Sequence, residues 1–316
     1  MSFDKLLTHA SENRHSSDGD KTPSAKSFKS LSKEQFSKAY PPQYFTHDGH
    51  RSHFVDTGQG QHERTVLCLH SRFGWAYSFR KIMPKLVYHG YRVIALDMLG
   101  FGLSDKPEDR SRLTVEAQCS RAKALIENLG LKELTLIGHE MGAGIAAQLP
   151  RMLPETIEAI IFANPAGRVL ENEWPGLHMW RTLMNARTGI DIGGEIARIC
   201  PNLTSDEVLA YNEPLTAPNG LFGVRHFHDT VALDKEDPDH ALMTEGYAWL
   251  REEWTGRHFV MAGAEDPVFG IDAAKHFCAQ IGCTSGVIQI DKVCGHPFEQ
   301  QADCIDIVIN KLFEAR

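Results

Sequence analysis

The period of apolar and polar positions changes several times along the 316-residue chain, and each change marks an element. Continuous apolar runs at Thr65 to His70, Arg92 to Asp97, Leu134 to Ile137, Ala159 to Ala163, His258 to Gly263 and Gly286 to Asp291 predict strands buried on both faces. Helical spacing fills the gaps, at Tyr77 to His89, at Thr114 to Leu129 with Gly130 as the stop, and at Ala273 to Ile281. A last helix is expected from about Pro297 to Phe313. Alternation of this kind predicts an α/β fold with a doubly wound, mostly parallel sheet, preceded by short antiparallel strands between Tyr44 and Asp56.

Two stretches break the pattern. Residues 1–38 are rich in Ser, Lys and Asp without sustained period, which reads as a flexible N-terminal arm. After Asn164 strand runs cease, and helical segments near Trp180 to Ala186, Glu195 to Cys200 and Ser205 to Tyr211 suggest an inserted helical cap over residues 165–253. The α/β core then comprises 39–164 and 254–316.

The most informative stretch begins at Leu134. An apolar run leads into Gly138-x-x-x-Gly142 and then Ala143, Gly144, Ala146 and Ala147, the pattern of a strand, a sharp turn and a closely packed helix. Such a nucleophile elbow lifts its middle residue above the sheet, over the positive end of the helix. That residue is Glu140. Asp266 and His296 each follow a predicted strand, and loops at the carboxyl ends of parallel strands share one face of the sheet, so the three side chains can converge. A carboxylate can displace a leaving group from saturated carbon, and a histidine oriented by an acid can then activate water to cleave the resulting ester. Each residue also has a plainer role open to it: a glutamate opening a helix, an aspartate in a turn before Pro267, a Gly-His turn.

A net charge of -8 and a pI near 6.0, with no basic stripe, remove the electrostatic case for nucleic acid or anionic membrane. Seven scattered cysteines with no C-x-x-C pair read as reduced thiols, and no apolar segment is long enough for a secretion signal or a membrane span, so a cytoplasmic protein is expected. No dinucleotide fingerprint or phosphate loop is complete, and His226 with His228 has no zinc spacing. The expected partners are therefore a small apolar organic substrate and water, with no cofactor or metal; oligomeric state stays open.

The motifs together resemble a known family. His53-Phe-Val-Asp-Thr-Gly58, Leu67-Cys-Leu-His-Ser71 with Trp75 and Arg80, Asp97-x-x-Gly-Phe-Gly-x-Ser-Asp-Lys-Pro107, the elbow, Ala210-Tyr211 with Pro214, Trp254-Thr-Gly256, Ala264-Glu-Asp-Pro267, and Gly295-His296 with Glu299 make the chain similar to haloalkane dehalogenases of the α/β-hydrolase fold. They point to the subfamily whose catalytic acid comes late in the chain. The resemblance implies Glu140 as nucleophile, Asp266 as acid and His296 as base, with Ser71, Arg72, Met141 and Trp180 around the oxyanion and leaving group. Trp174, Leu177, Leu183 and Phe222 would line the substrate pocket.

Three departures accompany it. Glutamate stands where the family has aspartate, Met141 replaces a tryptophan and offers no N–H, and Arg72 enters the oxyanion loop. Arg72 can hold an anionic substrate group or pair with Glu140 and lower its basicity. Besides a dehalogenase-type hydrolase, the sequence leaves open an epoxide or ester hydrolase, an enzyme using Glu140 as a proton-abstracting base, and a non-catalytic ligand-binding homologue.

Overall fold

The buried runs assemble into one eight-stranded sheet, ordered β1-β2-β4-β3-β5-β6-β7-β8. The computed structural model describes residues 31–58, 64–165, 190–229 and 238–314. Strands β1 (Gln43–His47) and β2 (His50–Asp56) form a hairpin whose turn, Asp48-Gly49, has positive φ at both residues, the backbone twist a two-residue hairpin requires. β2 also runs antiparallel to β4 (Tyr91–Leu96). From β4 onward through β3 (Arg64–Leu69), β5 (Leu134–His139), β6 (Ile157–Ala163), β7 (Arg257–Gly263) and β8 (Val287–Ile290) every pairing is parallel. β4 and β5 are buried at every position, which is why they read as unbroken apolar runs rather than alternating ones. The chain leaves β3 first to one side and then, at β5, to the other, so a crevice opens above their carboxyl ends.

Before the sheet, α1 (Lys33–Ala39) carries a capping box of Ser32 with Gln35. Its Phe36, 1% exposed, sets its ring edge against Trp75 and Tyr77. The flexible arm expected to reach residue 38 therefore gives way to packed helix by Lys33, because two apolar residues, Phe36 and Tyr40, lie on one helical face within a polar stretch.

The helix expected from Tyr77 to His89 divides into a 3₁₀ turn, Ala76–Phe79, and α2 (Met83–Tyr88), with Pro84 in the first turn of α2 where its missing N–H costs nothing. α3 (Val115–Asn128) is capped by Thr114 and is followed by Gly130 at φ 59, as its sequence predicts. The elbow helix is α4 (Met141–Met152).

Between β6 and β7 the described residues form α5 (Ile192–Ile199), α6 (Ser205–Asn212), α7 (Phe222–Asp229) and α8 (Pro238–Glu252), without a strand among them. α9 (Ile271–Ile281) crosses from β7 to β8. The last predicted helix is also two: α10 (Pro297–Gln300) and α11 (Cys304–Glu314). At the break Gln300 turns inward, accepting from the Cys294 N–H (2.8 Å) and donating to the Ile199 carbonyl (2.9 Å).

One buried cluster ties the inserted helices to the core. Arg80 donates to Glu207 of α6 (2.6 Å) and grips both oxygens of Glu299, which also accepts from Lys81 (2.8 Å) and the Tyr211 hydroxyl. Trp75 adds a bond from its indole N–H to the Ala210 carbonyl (3.1 Å).

Candidate active site

Glu140 sits at the crest of the elbow with φ 52 and ψ -106, a conformation rare for a side chain larger than glycine. The flanking glycines are what make it possible. A Cβ at Gly142 would collide with the Leu69 carbonyl, and one at Gly138 with the backbone of Ala143. A bond from the Glu140 N–H to the Ala163 carbonyl (3.0 Å) fixes the turn to the next strand.

The carboxylate is held from two directions. Oε2 accepts from the Arg72 backbone N–H (2.9 Å), and Oε1 accepts from the Arg72 side chain, through Nε (2.6 Å) and Nη2. Arg72 is 2% exposed and Glu140 7%, so this is a buried ion pair, and of the two placements open to Arg72 the structure adopts the one against Glu140. Burial alone would raise the Glu140 pKa. The guanidinium charge and the hydrogen bonds from Arg72 and the Met141 N–H outweigh it and hold the carboxyl below its ordinary value. His70 shapes the loop that delivers Arg72: its Nδ1–H donates to the Ser71 carbonyl (2.7 Å), and its Nε2 accepts from the Met98 N–H (3.0 Å).

Glu140, Asp266 and His296 all line a cavity of about 200 Å³. The core contributes Ser71, Arg72 and Asn164 to the same wall, α5 contributes Ile196 and Ile199, and Val268 and Phe269 complete an apolar side. Convergence of three strand ends is thus realised, but the expected coupling of acid to base is not. Asp266 Oδ1 accepts from the N–H groups of Val268 (2.8 Å) and Phe269 (3.0 Å), while Oδ2 accepts from Asn164 (2.9 Å). Among the described residues no hydrogen bond joins Asp266 to His296.

His296 packs instead against His139, ring centroids 5.4 Å apart and nearly perpendicular. His139 donates from Nε2 to the Gly295 carbonyl (2.7 Å), which fixes the peptide preceding His296 and leaves the buried Nδ1 without a partner. Burial, with His139 adding to it, pushes the His296 pKa down to about 3 against the pull of Glu299 and Glu140, so the imidazole is neutral at pH 7.

This has a measurable consequence for stability. The folded state refuses a proton that unfolded histidine takes up near its ordinary pKa of about 6.5. The contribution is complete above that pH and is lost as the pH falls from there towards 3, and His70 and His139, also lowered by burial, act in the same sense. Urea midpoints should fall steadily from pH 7 to pH 4.5, and His296→Gln should flatten the slope; a pH-independent midpoint in the parent protein would contradict the neutral buried ring.

Met141 is buried, and neither it nor Phe222 is among the described residues that line this cavity. The Phe222 ring stacks on His226 within α7 and faces the Arg110 guanidinium. Trp174, Leu177, Trp180 and Leu183 lie outside the described residues. Two cavity or near-cavity residues went unmarked in the sequence, Asn164 and His139. Their signal was a polar residue at the end of a fully apolar strand, where only a hydrogen-bonding duty justifies it. Among the described residues no cluster of His, Cys, Asp and Glu is arranged to hold a metal ion, and no helix is long and apolar enough to cross a membrane.

An elbow above a parallel sheet, with an acid and a histidine at later strand ends, defines an α/β hydrolase, and residues 64–187 match the alpha/beta hydrolase fold family. The chain is 30% identical over 223 residues to a haloalkane dehalogenase of Psychrobacter cryohalolentis, covering 69% of this chain and 72% of that one. It is 28% identical over 258 residues to the haloalkane dehalogenase of Mycobacterium marinum, covering 79% and 84%. Among solved structures, the haloalkane dehalogenase DpaA from Paraglaciecola agarilytica superposes with a TM-score of 0.76 at 26% identity, over 86% of this chain and 95% of that one. The protein belongs to the haloalkane dehalogenase family of α/β hydrolases.

Proposed function

We propose that the protein is a hydrolase that cleaves small apolar organic substrates at saturated carbon, with Glu140 as nucleophile and His296 activating water against the resulting ester. The family relationship supports the class of reaction, and the observation that carries the residue assignment is a carboxylate at the elbow crest beside a neutral imidazole on one cavity wall. Helices α5 to α8 serve as the cap, since Ile196 and Ile199 of α5 already close one side of the cavity.

The Arg72 pair sets the terms of the reaction. When Oε1 attacks carbon, the negative charge of the carboxylate passes to the departing group. Moving the guanidinium from Oε1 to that group exchanges one buried ion pair for another and never leaves a charge alone in low dielectric, which would cost several kcal/mol. In this reading Arg72 restrains Glu140 at rest and receives the leaving group during displacement. The backbone N–H of Arg72, which already donates to Oε2, then serves as an oxyanion donor when water adds to the ester.

Asp266 has a reduced part in this scheme. With its oxygens engaged by Asn164 and the 266–269 turn, it shapes the loop beside His296 rather than orienting the ring.

A single-turnover reaction in oxygen-18 water tests the assignment. Ester formation on Glu140 delivers product alcohol carrying unlabelled oxygen from the enzyme and places the label in the carboxylate. Labelled alcohol in the first turnover would show direct attack by water and would transfer Glu140 to the role of base.

A further inference from the structure

The carboxyl end of α9 brings two free cysteines into contact. Gly282 follows the helix at φ 71, and the Cys283 N–H turns back to the Cys278 carbonyl at 2.8 Å, a closure that sets the side chains of its two ends against each other. Here both side chains are thiols, and they share a hydrogen bond. The backbone contact is made by atoms one and two bonds from the respective Cα atoms, which limits the Cα separation to about 6.7 Å, inside the span of about 4.4–6.8 Å that a disulfide bridges. Cys278 is buried, whereas Cys283 is partly exposed. The Cys283 sulfur also lies 3.2 Å from the Ser285 Oγ and beside the ring of His258, which stacks on Trp254. The bond from Cys278, with His258 and Ser285 adding to it, outweighs burial and holds the Cys283 thiol below its ordinary pKa, while the same bond and burial push the Cys278 thiol up. One sulfur therefore meets solvent with thiolate character, and the other stands behind it as a thiol. His258 is the second residue of β7 and Ser285 precedes β8, so the pair lies at the amino edge of the parallel strands, opposite the cavity above their carboxyl ends.

We propose that Cys278 and Cys283 form a reversible oxidation site, at which a hydroperoxide converts the two thiols to a disulfide across the end of α9. The Cys283 sulfur attacks the terminal peroxide oxygen, the oxygen–oxygen bond breaks, and the departing oxygen takes up a proton, leaving a sulfenic acid on Cys283. The Cys278 sulfur then attacks the Cys283 sulfur; the sulfur–oxygen bond breaks, hydroxide leaves with the Cys278 proton as water, and the sulfur–sulfur bond forms. With hydrogen peroxide as the oxidant, two thiols and one peroxide give one disulfide and two waters, and two electrons pass from sulfur to oxygen. A thiol reductant reverses the bridge. The backbone is already closed between the two residues, so the oxidised form needs only side-chain rotation and no rearrangement of α9.

The test exposes the reduced full-length protein to hydrogen peroxide at neutral pH, quenches samples over time with iodoacetamide and follows each cysteine by peptide mass spectrometry. The peptide holding Cys278 and Cys283 is expected to lose two hydrogens, to resist alkylation and to regain both thiols in dithiothreitol. Cys294 serves as the internal control: it is also partly exposed, but burial and the nearby Asp266 and Glu265 carboxylates raise its thiol pKa. Oxidation of the pair should outrun that of Cys294 by at least about tenfold. In Cys278→Ser the bridge is lost and dimedone captures a sulfenic acid on Cys283; in Cys283→Ser the Cys278 thiol stays reduced over the same interval. Oxidation of Cys294 ahead of the pair overturns the proposal, as does a lasting sulfenic acid on Cys283 in the parent protein or a bridge from either residue to another cysteine.

Discussion

Replacing His296 with glutamine is expected to stop the enzyme after one half-reaction, with turnover reduced by about a thousandfold and an alkyl group retained on Glu140. The two chemical steps make different demands. In the proposed reaction, displacement at carbon needs the Glu140 carboxylate and a receiver for the leaving group, both of which survive the substitution. Addition of water to the ester needs a base, and the His296 ring is the neutral nitrogen base on the cavity wall. Because burial keeps that ring neutral, it is ready to accept a proton at any pH above about 3. The same burial makes it a weak base, and without a hydrogen bond to Asp266 the imidazolium it forms is poorly supported. On the proposed mechanism the second step is expected to be the slow one in the parent protein as well, and rapid mixing should reveal a burst of released leaving group before steady state. Intact-protein mass spectrometry reads the adduct directly. A His296→Gln protein that turns over at the parental rate would remove His296 from the chemistry.

The second large effect concerns stability. Glu299 is buried and accepts from Arg80, Lys81 and Tyr211, and its pKa is drawn down to about 2 because the Arg80 and Lys81 cations more than offset its burial. Glu299→Ala leaves the Arg80 guanidinium buried with Glu207 as its remaining carboxylate. Removing one partner from a buried charge cluster costs about 3–5 kcal/mol, and the surviving Glu207 contact places this case near the lower figure. The expected readout is a matching fall in unfolding free energy from urea titration at pH 7. A loss below about 1 kcal/mol would show that the cluster contributes little to holding α6 on the core.

The elbow was legible because it depends on local rules that leave traces in a single chain. Glycine is needed at 138 and 142 because neighbouring backbone occupies the place of a side chain, and that requirement is written in the sequence at fixed spacing. The parallel strands were legible for a similar reason, since double-sided burial erases polar alternation. The partners of the functional groups were not. Arg72 and Glu140 are 68 positions apart, and their pairing depends on how the β3 and β5 ends are brought together by register. Asp266 sits where the pattern placed it, yet its hydrogen bonds go to Asn164 and to its own turn, a choice made by side-chain direction rather than by position. The stacking of Phe222 on His226 was not legible, because apolar character alone does not distinguish a wall of a cavity from the packing of an inserted helix. The helix break near Gln300 likewise reflects tertiary bonds that spacing does not encode.

The Arg80 cluster also bears on how the chain reaches this structure. Its bonds span 127 and 219 positions, so Glu207 can reach Arg80 soon after α6 is made, whereas the cluster is complete only once Glu299 has emerged from the ribosome. Up to that moment α6 can hold the core through Glu207 and Ala210 alone, with the Tyr211 hydroxyl still waiting for Glu299, while the early strands of the sheet can already pair.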